Sequence, residues 1–267
     1  MSEYFAMFKM KLIAGMQYRA AAWAGLATNF VWGFATIMIF QAFYRSSSAA
    51  PPMEWSQLVA YNWLRQAFIY IWAMWGQDEE LLAGIRDGHV AYELCRPYDM
   101  YSFWYARLCA MRVSGTALRF LPVITIALIL PGAYRLTPPA SVGALAMFLL
   151  SLTLALALVV AISMFIYILT FVTLTPQGAS LIMYASSEFL GGMLIPIPLM
   201  PEWLQTITAF FPFRYLGDLP FRLYSGNISG VDAVFQIMIQ LAWIVGLILL
   251  GRVAFRHVTR RVVVQGG

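Results

Sequence analysis

An all-α polytopic membrane protein with six transmembrane helices is the fold class this sequence predicts, and two observations predict it. Across 267 residues, 61% are hydrophobic and only 11% are charged, against roughly 25% charged in an average soluble domain. The charges are also spaced so that long apolar runs remain, each near the ~20 residues a helix needs to cross ~30 Å of hydrocarbon. Lipid is the solvent this composition matches. Three smaller elements complete the expected architecture: an N-terminal interfacial helix, a short cytoplasmic helix between helices 2 and 3, and a broken outer hairpin between helices 5 and 6. All fall in a single transmembrane domain over 1–267.

The opening segment, 1–19, places Phe5, Phe8 and Leu12 at helical spacing, with Lys9, Lys11 and Arg19 within reach of lipid headgroups. Spanning segments are expected at Ala20–Phe43, Leu58–Trp75, Val113–Leu130, Val142 to about Phe171, Gly178–Ile195 and Val231–Leu250. The first begins too late and runs too long for the apolar region of a cleaved signal peptide. The fourth and fifth are separated only by the breaker between Thr173 and Gly178.

Lys and Arg bias sets the orientation. With the N-terminus inside, cytoplasmic segments hold Lys9, Lys11, Arg19, Arg86, Arg96, Arg107, Arg112, Arg252, Arg256, Arg260 and Arg261, whereas outer loops hold Arg45, Arg135, Arg214 and Arg222. Both termini are therefore expected in the cytoplasm, with a cytoplasmic loop over 76–112 and an outer hairpin over 196–230. That hairpin is nearly as apolar as a span, yet carries Pro196, Pro198, Pro201, Pro212 and Pro220, which forbid one continuous helix. A short helix around Glu202–Phe211 and a partial one before Gly226 remain, in a re-entrant-like arrangement shielded by the bundle.

The charge balance of +5 is scattered and not gathered into a basic run interleaved with aromatics, which argues against nucleic acid. Cys95 and Cys109 show no metal or redox spacing, and His89 and His257 belong to no zinc or serine hydrolase motif. No P-loop occurs, since Lys9 and Lys11 are the only lysines and neither follows a Gly-rich phosphate loop. The chain is thus expected not to be an enzyme by itself and to bind no cofactor.

Charges inside expected spans are costly unless paired or facing a cavity. Arg65, Arg119 and Glu188 are such charges. Asn62, Arg65 and Gln66 form one polar stripe toward the bundle interior. Counted at ~1.5 Å per residue, Arg65 and Glu188 lie at similar depth and are expected to meet, either as a structural salt bridge or on a substrate path. Arg119 lies nearer the cytoplasmic interface and is expected to snorkel.

In the cytoplasmic loop Asp78, Glu79 and Glu80 suit a helix start, Leu81, Leu82 and Ile85 form an apolar side, and Asp87–Gly88 ends the helix. Two readings stand: a helix resting on lipid, or one inserted into a cytoplasmic partner.

Two motifs in this order resemble the membrane subunits of ABC transporters of the ABC-2 type. The first is IRDGHVAYELCRP, with Ile85, Gly88, Ala91, Leu94, Arg96 and Pro97 at the family's spacing; the second is the hairpin pattern of Gly192, Pro196, Pro201, Trp203, Pro212, Phe213, Pro220 and Gly226. The resemblance implies a plasma (inner) membrane permease of an exporter, paired with a second copy or a sister permease, and served by two ABC ATPase subunits that bind ATP and Mg. It further implies that the loop with Leu81, Leu82, Ile85, Gly88, Arg96 and Pro97 is the coupling helix region, and that the hairpin lines the outer exit. Drugs, lipids, peptides and polysaccharides are all substrates in that family. An ion-gradient-driven secondary transporter titrating at Glu188, and a non-transporting membrane scaffold, are the rival readings.

Overall fold

The computed structural model describes residues 3–17, 19–46 and 51–260. Among them every regular element is helical. Arg261 of the charge count and residues 1, 2 and 18 of the expected N-terminal helix lie outside the described residues.

Among the described residues four helices are long and apolar enough to cross a membrane: α2 (Arg19–Ser46), α7 (Met100–Ile129), α8 (Val142–Thr173) and α12 (Gly230–Thr259). They match the first, third, fourth and sixth expected spans. The second and fifth are shorter than expected. In place of one helix over Leu58–Trp75, the chain forms α3 (Trp55–Ala67) and α4 (Ile69–Trp72), broken at Phe68. The fifth is α9 (Gln177–Leu190), ending at Gly191–Gly192.

No glycine or proline marks the break at Phe68; side chains from elsewhere satisfy the carbonyls it frees. Asn29 donates to the Gln66 carbonyl (3.2 Å) and Trp72 Nε1 to that of Arg65 (2.9 Å). Arg112 reaches from α7 to cap the end of α4, donating to Tyr70 O (2.8 Å), Ala73 O (2.7 Å) and Ser163 Oγ of α8 (3.0 Å). A guanidinium at a helix C-terminus also answers its dipole.

Helix ends elsewhere follow local chemistry. Ser141 caps α8 by accepting from Ala144 N (3.0 Å), and α8 stops where Leu174 turns left-handed at φ 55°, ahead of Pro176. Asp99 caps α7 through Ser102 N (3.2 Å).

The parallel pair α8 and α12 forms the centre of the bundle, joined near their starts by Gln240, which donates to the carbonyls of Ser151 and Tyr215 (both 2.9 Å) and accepts from Ser151 Oγ (2.9 Å). At one end lie α5 (Glu79–Arg86), α6 (Val90–Leu94) and the start of α7, packed under Trp104, Tyr167, Phe171 and Phe255. The hairpin closes the other end with α10 (Glu202–Ala209) and α11 (Asp218–Tyr224), as the prolines imply. Pro201 precedes α10, and Pro220 sits in the first turn of α11, where no intrahelical N–H is needed.

The N-terminal helix α1 (Glu3–Met16) is not isolated from the bundle: it runs along the first half of α7. Tyr4 Oη accepts from Asp99 N (3.1 Å), and Gly15 meets Ser114 so closely that a Cβ would lie 2.2 Å from its hydroxyl. Its outward residues Phe5, Met10 and Ile13 stay exposed.

Candidate functional site

A cavity of about 1230 Å³ opens between α2, the broken α3–α4 segment, α9 and the turn that follows α9. Seven aromatic residues stand in its wall: Trp32, Phe40, Phe43, Tyr44, Trp72, Trp75 and Tyr184. Among them stand Arg65, Gln66, Arg119 and Glu188. Most of the residues singled out for intramembrane polarity therefore share one chamber.

The polar stripe on α3 is buried as expected, with Asn62 donating to Gly33 O at 2.8 Å. Arg65 does not pair with Glu188. Its guanidinium donates to Met193 O, Thr36 Oγ1 (3.0 Å) and Asn62 Oδ1 (3.1 Å), and no ion pair joins it to the carboxylate. The two charges are near enough to influence each other, but the fork of Arg65 is taken by uncharged oxygens of three separate segments. Glu188, half-buried, accepts no hydrogen bond from the described residues. A short α9 explains the difference: the chain turns at Gly191–Gly192, bringing main-chain carbonyls under α3 before the carboxylate reaches it.

Arg119 has a defined place inside the bundle. It lies over the Tyr70 ring at 4.9 Å and against Gly25, as a cation held by an aromatic face in the chamber wall.

Gly192 lies at the junction of chamber and hairpin with φ 76°, a conformation that suits glycine. A Cβ there would sit 2.9 Å from Ile197 Cγ1 and 3.1 Å from Tyr61 Oη. Tyr61, Arg65's neighbour one turn back, donates to Gly192 O (2.9 Å) and to Asp218 Oδ1 (3.2 Å), a fully buried carboxylate that also accepts from Ile197 N (3.3 Å) and Arg222 (3.3 Å). Within the hairpin Pro196 and Pro212 are buried, while Trp203 is 65% exposed on the outward face of α10.

At the opposite end, α5 forms as its sequence directs. Asp78 caps it by accepting from Leu81 N (3.2 Å), Glu79 and Glu80 occupy the first turn, and Gly88 follows Asp87 at φ 76°. The apolar side, however, faces inward. Leu81, Leu82 and Ile85 are buried in the chain's own core against α8, at 4%, 1% and 5% exposure, so they are not available to enter a partner's cleft. Among the residues the loop presents outward are Glu79, Glu80, Arg86, Asp87, Gly88, His89, Tyr92, Leu94, Cys95, Arg96 and Pro97. Inversion of the apolar side follows from the core's need for cover: Tyr167, Trp104 and Phe171 leave an apolar surface at this end of the bundle, and α5 fills it.

A family model described as "ABC-2 family transporter protein" matches residues 26–266. The chain belongs to that family. Comparison with curated proteins returns no match. The ABC-2 chain is thus a multi-pass membrane component of an ABC transporter, an ABC-2 type permease, and permeases of this family work with ABC ATPases. Sequence reasoning missed several residues that organise this permease, Tyr61, Arg112 and Asp218, and read Asp78 only as a helix start without its tie to Arg107 and Tyr167. Tyr61 looks like any apolar span residue, and only the approach of Gly192 gives its hydroxyl a task.

Proposed function

We propose that this permease, with a second copy or a sister permease, forms the translocation path of an ABC exporter for an amphipathic substrate, and that the aromatic chamber is the part of the path this chain supplies. The observation that carries the reading is a chamber of about 1230 Å³ in which Glu188 and Arg119, given among the described residues neither a hydrogen-bond donor nor a carboxylate respectively, stand among seven aromatic side chains. Apolar pockets with few convergent polar groups are the usual form of a site for small amphiphiles. Six crossings complete the topology when the α3–α4 segment and α9 with its following turn are counted as spans. Both termini then face the cytoplasm of a plasma (inner) membrane protein. Pro196, Pro201, Trp203 and Pro212 belong to the outer exit. Gly88, Arg96 and Pro97 belong to the surface that meets two ATPase subunits, which supply ATP and Mg binding.

Purification from native membranes, followed by mass spectrometry of what accompanies the chain, tests the assembly: a P-loop ATPase with vanadate-sensitive hydrolysis is expected. Uptake into vesicles driven by a pH gradient in the absence of nucleotide would instead favour a secondary transporter titrating at Glu188.

A further inference from the structure

We propose that Arg107 is the positioning residue that joins α5 to the membrane bundle, with Asp78 as its partner, so that force applied to the α5–α6 loop reaches α7 and α8 through this ion pair. The proposal rests on the permease reading above and adds the joint through which an ATPase acts on the chamber.

Arg107, on α7, donates from Nε to Asp78 Oδ2 at 2.6 Å and from Nη2 to Asp78 Oδ1 at 2.8 Å. Both side chains are nearly inaccessible, at 5% and 10% exposure. A two-pronged pair of this kind fixes orientation as well as distance. Asp78 is occupied at every group: its carboxylate also caps α5 through Leu81 N, and its own N–H donates to Tyr167 Oη on α8 at 2.8 Å. One residue thus ties the start of α5 to two long helices. A second strand of the network passes through Glu80, which accepts from Arg107 at 2.5 Å and from Lys11 of α1 at 2.7 Å.

The rest of α5 is held differently. Beyond the pair, Leu81, Leu82 and Ile85 make non-directional apolar contacts, and the turn at Asp87–Gly88–His89 is exposed. The surface pair Arg86–Glu79, at 3.9 Å, contributes little. An element loaded at the exposed turn after its C-terminus and pinned at its N-terminal end by a buried fork passes displacement to whatever the fork holds, and α6 beyond the turn is tied to the same helix by Trp104 Nε1 donating to Glu93 Oε2 (2.7 Å). Here that is α7, whose Arg112 caps α4 and whose Arg119 lines the chamber.

Asp78→Asn is the informative variant, because asparagine caps a helix as well as aspartate does, yet removes the counter-charge of Arg107. The test uses the full-length permease with its ATPase in nanodiscs, with Cys95 and Cys109 replaced by alanine and Leu194, on the chamber wall, replaced by cysteine. N-ethylmaleimide modification of that cysteine is timed without nucleotide and with ATP, Mg and vanadate. In the parent, nucleotide should change the rate by about fivefold or more, a coupling of ordinary size. In Asp78→Asn and Arg107→Gln the change should fall below about twofold, while ATPase still co-purifies and still hydrolyses ATP. Glu80→Gln, which leaves the fork to Asp78 intact, should respond as the parent does. A merely structural pair would lower thermal stability and leave the nucleotide response in place. Variants that respond like the parent overturn the joint alone, as does a parent that binds ATPase and shows no nucleotide response. A parent that binds no ATPase overturns the permease reading and the joint with it.

Discussion

Arg65 donates to the main-chain carbonyl of Met193 and not to the carboxylate of Glu188, so the buried cation of α3 grips the turn after α9 instead of a neighbouring charge. Tyr61, four residues earlier on the same face, donates to the preceding carbonyl, that of Gly192, at 2.9 Å. Two side chains one helical turn apart thereby hold two successive peptide units at the point where the chamber wall becomes the hairpin.

Removing either grip leaves a buried carbonyl without a donor. Tyr61→Phe should cost about 1–3 kcal/mol, and Arg65→Met more, since it also releases Thr36 and Asn62. Arg65→Lys is not a conservative replacement, because an ammonium lacks the planar fork that serves three segments at once. Thermal unfolding in detergent measures the order expected: Tyr61→Phe mildest, then Arg65→Lys, then Arg65→Met.

A double-mutant cycle decides whether Arg65 and Glu188 act as a pair. With no ion pair between them, Arg65→Met and Glu188→Gln should combine additively in stability, within about 0.5 kcal/mol. Rescue of one loss by the other would show that they bond directly in the membrane. Additivity leaves Glu188 available to a substrate, and Glu188→Gln should then alter transport with little change in unfolding temperature.

The sequence was legible where local chemistry acts alone. Long apolar runs became α2, α7, α8 and α12; the breaker at Thr173–Gly178, the prolines of the hairpin and the Asp78 to Gly88 helix all appear as read. It was illegible where partners distant in sequence decide. The break at Phe68 depends on Asn29 and Trp72, and the end of α4 on Arg112, none of which is a helix breaker. Depth counting put Arg65 beside Glu188 because it assumed an unbroken fifth span, and the early end of α9 moved carbonyls into that place. The apolar side of α5 was correctly identified and wrongly aimed: amphipathic spacing shows that a face is covered, and only the bundle shows by what.

That inward face gives a prediction about Leu82, which is 1% exposed. Leu82→Ala should cost about 2–5 kcal/mol through the cavity it leaves, and Leu82→Asp more, since it buries an unpaired carboxylate. The expected phenotype is loss of folded permease, seen as reduced yield and a lower unfolding temperature even without any ATPase. Wild-type stability of Leu82→Asp, with ATPase binding lost, would restore the reading in which this face meets the partner.

Glu80 supplies a pH-dependent contact outside the membrane. The hydrogen bond from Lys11, and after it the charge of Arg107, hold its carboxyl below the usual carboxylate range. A carboxylate with a depressed value contributes its full stabilisation above the unfolded value of ~4.3 and loses it as pH falls through the lower folded value. The link from α1 to α5 should therefore be intact at neutral pH and loosen only in acid. Amide exchange in α1 should rise below about pH 4, and Lys11→Met should produce the same rise at pH 7.

Gly88 separates shape from surface in the loop. Its φ of 76° is unfavourable for a residue with a Cβ, yet no atom lies within 4 Å of where that Cβ would be. The cost of substitution is thus conformational and not steric inside this chain: about 1–2 kcal/mol for an ordinary residue, less for asparagine, which tolerates the left-handed region, and more for a β-branched one. Gly88→Asn should keep both fold and ATPase binding. Gly88→Val should leave the bundle folded, because Asp78 and the buried leucines still hold α5, but should redirect the turn from Asp87 to His89 that the loop exposes. Co-purification of ATPase, measured beside unfolding temperature, distinguishes the outcomes. A drop in bound ATPase for Gly88→Val at nearly unchanged stability places the contact on this turn, whereas equal binding for Val and Asn would remove Gly88 from the partner surface altogether.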